Sequence, residues 1–249
     1  MQDKLIASLW FVFTGVTCAV LFFVALLIWL VTFPFDKKKK ILQLFTCAWA
    51  SLYTYVVPPW RIKIVGREKI RKNATYVVVS NHQSLLDILV IFRLYFHFKW
   101  VAKKEAFKIP FIGWNMYLND YVSLQRGDRE SILQMLRKAG KHLQAGRSVF
   151  FFPEGTRSAS GMVEDFKPGA FELALQHQVP ILPIAICGTS DALPKHSLNY
   201  HGVKDIFIEV MDEIPYAEFK DSTPAEVASM VQAKIAARVE ELKELRQAA

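Results

Sequence analysis

The chain has 249 residues, enough for one domain with an appendage, and 52% of them are hydrophobic, above the roughly 45–50% of an ordinary globular protein. A net charge of +8 and a pI near 9.3 admit nucleic acid, anionic lipid or a phosphorylated substrate as partner. Nucleic acid is not expected, because aromatic and basic residues do not interleave and no helix-turn-helix or zinc-finger spacing is present, and three cysteines do not make a disulfide framework.

The hydrophobic excess sits at the start. Residues 5–35 and 41–60 carry no charge, and Asp36 with the run Lys37 to Lys40 separates them. The first stretch is too long for the roughly 7–15-residue core of a signal peptide. At ~1.5 Å per residue it exceeds a ~30 Å hydrocarbon core, so a single tilted span is one reading. Two full spans joined at the lysines would put either those lysines, or both the N-terminus and the main domain, on the wrong side, since lysine clusters stay cytoplasmic. The preferred reading is a helix pair that dips into the cytoplasmic leaflet and returns. A spanning first helix with an interfacial second one is the alternative. Trp10, Trp29, Trp49 and Trp60 suit headgroup-level anchoring in either case. Residues 1–60 are thus expected to anchor the chain at the cytoplasmic face of the inner membrane, monotopic or single-span, and 61–249 to form the working domain.

Residues 61–65 alternate like a strand and 76–79 form a fully apolar one. Residues 85–95 read as a buried helix, 99–102 and 121–124 as short strands, and 128–144 as an amphipathic helix closed by Gly146. A buried strand, 149–152, runs into a turn at Pro153-Glu154-Gly155. A helix over 169–178 and strands over 181–186 and 206–211 follow. Thr223-Pro224-Ala225-Glu226 is a capping box with proline at the first helical position, and Val227, Val231, Ile235, Val239 and Leu242 trace one apolar stripe beyond it. This alternation predicts an α/β fold, a mostly parallel sheet flanked by helices and preceded by an N-terminal membrane-embedded helix pair.

The chemically informative stretch is Asn81-His82-Gln83-Ser84-Leu85-Leu86-Asp87, between an apolar strand and a buried helix. Reactive groups collect at the carboxyl ends of strands in open α/β sheets. On one continuous helix, a spacing of five would turn His82 and Asp87 about 140° apart. If His82 lies in the turn and Ser84 caps the helix, Asp87 falls in the first turn and reaches back to the imidazole. A carboxylate fixing one ring nitrogen leaves the other as a base for a hydroxyl proton. Taken alone, the pair also fits a turn histidine and an aspartate that complements the helix dipole.

Three further segments change that balance. Phe152-Pro153-Glu154-Gly155-Thr156-Arg157-Ser158, Val179-Pro180-Ile181-Leu182-Pro183-Ile184 and, weakly, Leu124-Gln125-Arg126 follow the histidine block in order. With it, the histidine–four residues–aspartate (HX4D) motif included, they resemble the lysophosphatidate acyltransferase family (1-acyl-sn-glycerol-3-phosphate O-acyltransferases) of the glycerolipid acyltransferases, over about residues 60–215. In the second block Asp120, Ser123 and Gln125 replace the family's glycine, phenylalanine and aspartate, while Arg126 remains.

The resemblance implies acyl transfer from acyl-CoA or acyl-carrier protein to the sn-2 hydroxyl of lysophosphatidate, giving phosphatidate for phospholipid biosynthesis. His82 would be the base and Asp87 its orienting partner. Arg126 and Arg157 would bind the acceptor's phosphate, and Glu154, Gly155 and Thr156 would shape the acceptor site. Independently, Lys103 and Lys104 follow a short strand, and one of them, with Lys103 preferred, is a candidate for a further phosphate contact; a solvated pair is the plainer alternative. No cofactor is expected, because a thioester is already activated, and the absence of G-x-S-x-G fits transfer without a covalent intermediate. No metal is expected without H-E-x-x-H or paired C-x-x-C. His97, His142, His177, His196 and His201 read as structural or surface residues. Glycerol-3-phosphate or another lysolipid as acceptor, hydrolysis by a His82-activated water, and a non-catalytic lipid-binding module are the competing readings.

Overall fold

The computed structural model describes residues 2–56, 60–158, 160–194 and 203–247. Pro58-Pro59, His196, His201 and the side chain of Trp10 lie outside that set. Two long helices come first, α1 (Gln2–Thr32) and α2 (Lys40–Val56). Asp36 ends the turn between them: its carboxylate accepts from the N–H groups of Lys40 (2.9 Å) and Ile41 (2.7 Å), capping α2. The helices form an antiparallel hairpin joined by that turn, with Tyr53 Oη of α2 lying 3.0 Å from Thr17 Oγ1 and 3.3 Å from Cys18 Sγ of α1.

Seven strands follow: β1 (Trp60–Val65), β2 (Val77–Ser80), β3 (Phe98–Lys103), β4 (Val122–Leu124), β5 (Ser148–Phe151), β6 (Ile181–Cys187) and β7 (Lys204–Val210). They form one sheet in the order β1-β7-β6-β2-β5-β3-β4, parallel at every pairing except β6–β7. The expected mostly parallel α/β sheet is therefore observed. The departure is at one edge, where β7 pairs antiparallel with β6 and parallel with β1, so these two strands run opposite to the other five.

Both faces of the central strands are covered, which is why they read as unbroken apolar runs. Val77, Val79 and Val149 face helices α5 (Arg129–Gln144), α6 (Gly169–His177) and α7 (Pro224–Gln247). Val78, Phe150 and Leu182 face helix α3 (Leu86–Phe92) and the inner side of α2, whose Cys47 and Ala50 join that cluster. The capping box forms as expected: Thr223 N–H donates to Glu226 Oε2 at 2.7 Å, and Glu226 N–H to Thr223 Oγ1 at 3.3 Å. All five residues of the predicted C-terminal stripe are buried.

Helix α4 (Ile112–Leu118) was not evident from the sequence. It begins after Phe111, which sits at φ +62°, and it contains Gly113, where a Cβ would lie 2.2 Å from the Phe107 carbonyl oxygen. Phe22 of α1 packs on Phe111 and Trp114, so α1 rests on α4 as well as on α2. Val12–Thr32 is long and apolar enough to cross a membrane. The outer side of α1 exposes Val12, Val16, Val20, Phe23, Leu27 and Leu30, and Trp114 and Tyr117 of α4 continue that apolar surface.

Candidate active site

The parallel pairing brings the carboxyl ends of β2, β5, β3 and β4 side by side in that order. His82 lies two residues beyond β2, Phe152 to Ser158 follow β5, Lys103 ends β3, and Arg126 lies two residues beyond β4. Segments far apart in sequence thus share one rim of the sheet.

Asn81 first extends the sheet. Its side chain donates from Nδ2 to Ile186 O (2.8 Å) and accepts from Ile186 N–H (2.9 Å), copying a strand's pairing beyond Ser80. The chain then turns, and Asp87, in the first turn of α3, folds back. Its Oδ2 accepts from the N–H groups of Gln83 (2.7 Å) and Ser84 (2.8 Å) and lies 2.8 Å from His82 Nδ1. Ser84 Oγ accepts from Leu86 N–H at 3.1 Å and donates to Leu193 O at 2.6 Å. An ionised carboxylate only accepts, so Nδ1–H is the donor of this pair, and in a neutral ring the lone pair falls to Nε2. Among the described residues nothing hydrogen-bonds Nε2, and 8% of His82 is exposed, enough for a ligand to reach the ring edge.

The loop after β5 holds the other sides of His82. The Phe152 ring stacks on the imidazole, centroids 4.0 Å apart and 12° from parallel. Glu154 Oε1 accepts from His82 N–H at 2.7 Å, and Ser158 N–H donates to His82 O at 2.8 Å. Glu154 Oε2 takes the N–H of Glu164 at 3.4 Å. Burial pushes the Glu154 carboxyl up to about 7, against the pull of the His82 and Glu164 amides. Gly155 turns the loop at φ +74°, where a Cβ would also meet Lys167 Nζ at 2.9 Å.

The expected site residues divide accordingly. His82 and Asp87 meet as the spacing requires. Glu154 is buried behind His82, with both oxygens on backbone amides. Thr156 is exposed on the turn and Arg157 half-buried beside it. Neither Lys103 nor Lys104 turns inward. Both are exposed, Lys103 lying 3.6 Å from Glu105 and Lys104 donating to Gln125 Oε1 at 3.3 Å. Arg126 is exposed three strands from the histidine loop, about 14 Å at ordinary strand spacing, whereas Arg157 is one strand away. Among the described residues no cluster of three or more His, Cys, Asp or Glu could hold a metal ion.

A family model described as acyltransferase matches residues 61–187, the stretch that builds this rim. The chain belongs to the acyltransferase family. It is 40% identical over 162 residues to a 1-acyl-sn-glycerol-3-phosphate acyltransferase of Chlamydomonas reinhardtii, covering 64% of this chain and 48% of that protein. It is also 40% identical over 173 residues to the chloroplastic enzyme of the same description from Arabidopsis thaliana, covering 68% and 48%. The chain therefore spans about half the length of these curated relatives. A crystal structure of the 1-acyl-sn-glycerophosphate acyltransferase PlsC from Thermotoga maritima superposes with a TM-score of 0.71 at 26% identity, covering 93% of this chain and 97% of that one.

For this member of the acyltransferase family, Phe152, Glu154 and Ser158 are the site residues whose positions the sequence reading missed. Phe152 reads as one more apolar strand residue, and nothing in its local pattern marks it as the histidine's stacking partner. Lys167, just before α6, brings its amine against the Gly155 turn.

Proposed function

We propose that the chain transfers a fatty acyl group from acyl-CoA or acyl-carrier protein to the sn-2 hydroxyl of lysophosphatidate, yielding phosphatidate at the cytoplasmic face of the inner membrane. The observation that carries this reading is the His82–Asp87 pair, its Nδ1 committed to the carboxylate and its Nε2 left to a ligand, on the rim shared with Arg157. His82 Nε2 takes the hydroxyl proton as the acceptor oxygen attacks the thioester carbonyl carbon. The carbon–sulfur bond breaks and the proton passes to the departing thiolate. The donor is a co-substrate, and no cofactor enters the step. Arg157 pairs with the acceptor phosphate, a task for which a guanidinium fork is suited. Arg126 and the exposed Lys103 and Lys104 form an outer cationic border, and Gly155 and Thr156 shape the turn that faces the acceptor. Glu154 acts through His82 by fixing its peptide.

Residues 1–60 serve as the anchor and 61–249 as the acyltransferase domain. Because α1 packs on both α2 and α4, a spanning α1 would have to leave those contacts. A hairpin lying in the cytoplasmic leaflet keeps them and buries the exposed apolar side in lipid. Lysophosphatidate and the bilayer are then the partners.

The test mixes purified protein with acyl-CoA or acyl-carrier protein and follows free thiol. Release that needs lysophosphatidate supports transfer. Release without acceptor points to hydrolysis, no release to a binding module, and preference for glycerol-3-phosphate or another lysolipid moves the acceptor assignment.

A further inference from the structure

An open cavity of about 740 Å³ lies at the pole of the sheet opposite His82. Tyr76 and Ser148, at the amino ends of β2 and β5, line it. His82 lies six positions beyond Tyr76, roughly 20 Å along extended chain, so this cavity is no part of the active site.

Its rim carries five cations, Lys38, Lys40, Arg67, Arg71 and Lys72, against the single carboxylate of Glu68. Arg71 is held by Glu213 at 2.6 Å, and Arg67 lies over the Tyr95 ring at 5.6 Å. Among the described residues, Lys40, Arg67 and Lys72 have no carboxylate within ion-pair distance. His97 adds no charge, since burial and the nearby Lys99 pull its imidazole down to about 3. Its Nε2–H donates to Lys38 O at 2.8 Å and ties the lysine turn to the cavity wall. Leu44, Ile70, Leu94 and Phe96 give that wall an apolar stretch among its polar residues. Leu44 and the neighbouring Ile41 are exposed on α2, and Phe33 and Phe35 are exposed on the turn before it.

A cationic rim beside an apolar stretch suits an anion with a hydrocarbon portion, and this one opens beside the exposed apolar residues of the hairpin. We propose that the groove binds an anionic phospholipid of the supporting bilayer. The phosphate sits on Lys40, Arg67 and Lys72, and the glycerol and upper acyl carbons rest on Leu44 and Phe96. This rests on the membrane seating given above and is independent of acyl transfer. A lipid held here would fix the hairpin turn against the domain and make membrane residence depend on anionic lipid.

The test titrates the full chain in neutral detergent with dihexanoyl phosphatidylglycerol below its micelle concentration, followed by calorimetry. This lipid is neither the proposed acceptor nor its product. Saturable one-to-one binding is expected, with dihexanoyl phosphatidylcholine silent. The double variant Arg67→Gln/Lys72→Gln should weaken binding about tenfold or more, as expected for two basic residues at an anionic headgroup. Its melting temperature and its thiol release in neutral detergent should be unchanged. Removing two exposed lysines elsewhere, Lys220→Gln/Lys234→Gln, should leave binding intact. Equal binding by wild type and the groove variant would overturn the proposal. So would equal weakening by the control pair, which indicates a diffuse field, or inorganic phosphate competing as well as the lipid. A chain that binds the lipid but releases no thiol would separate this inference from the enzymatic reading.

Discussion

Phe152 lies face to face with His82, 4.0 Å between centroids, and Trp100 stacks behind Phe152 at 5.4 Å. The imidazole is thereby fixed on one face by an aromatic column rooted in the core, at one edge by Asp87, and along its backbone by Glu154 and Ser158. The Nε2 edge is left to a ligand.

Loosening that stack should affect turnover more than binding. Phe152→Leu keeps most of the volume but removes the flat surface. Small misplacements of a reacting group cost up to about 10²-fold, so kcat should fall roughly tenfold or more while acceptor KM changes little. Steady-state kinetics at saturating donor checks this. An unchanged kcat would mean that the ring is held without Phe152.

Glu154 makes stability depend on pH. Its carboxyl, ordinarily near 4.5, titrates at about 7 in the fold. Between these values the unfolded chain has lost the proton that the folded chain keeps, so stability from this group is full below pH 4.5 and declines as pH rises to 7. The whole effect is on the order of 3 kcal/mol. Glu154→Gln keeps an acceptor for the His82 amide and should flatten the loss of stability between pH 5 and 7. Urea unfolding of both proteins at a series of pH values measures the difference.

Lys99 carries the opposite dependence. It is fully buried in β3, its Nζ donates to Asn119 O at 2.8 Å, and burial, with Lys39 and Arg147 nearby, lowers its ammonium to about 7 from 10.5. Between 7 and 10.5 the unfolded chain binds the extra proton, so stability rises with pH, and at neutral pH and below the cost is present. Lys99→Met should stabilise the chain at pH 7 by up to a few kcal/mol, with a smaller gain at pH 9. Thermal melts at the two pH values give the comparison.

Arg157 should act on the acceptor. Arg157→Ala is expected to raise lysophosphatidate KM by about 10-fold or more, the loss expected of a charge-assisted pair, with a smaller change in donor KM. Arg126→Ala, on the exposed outer border, should matter less. An acceptor KM indifferent to Arg157 would remove its phosphate role.

The histidine–aspartate geometry was legible because a spacing of five works only if His82 precedes the helix and Asp87 sits inside its first turn. The C-terminal helix was legible because its capping box and stripe are local. What escaped notice depends on distant partners. Phe152 is indistinguishable from a core residue until β5 is seen beside β2. Glu154 reads as a substrate ligand until its oxygens are found on the His82 and Glu164 amides. Lys103 and Lys104 follow a strand, but the chain's exit from β3 leaves both in solvent. The antiparallel β7 leaves no trace in periodicity, which reports faces and not neighbours, and α4 is masked by the turn at Phe111 and the close packing of Gly113.

The central claim is that His82 Nε2 accepts the acceptor's proton while Asp87 fixes the ring. The most direct measurement is lysophosphatidate-dependent thiol release by wild type, His82→Ala and Asp87→Asn, each with an unchanged melting profile. The account expects a fall of at least ~10²-fold for His82→Ala, and a comparable loss for Asp87→Asn, whose amide no longer dictates the tautomer. Release at close to the wild-type rate from folded His82→Ala would contradict it.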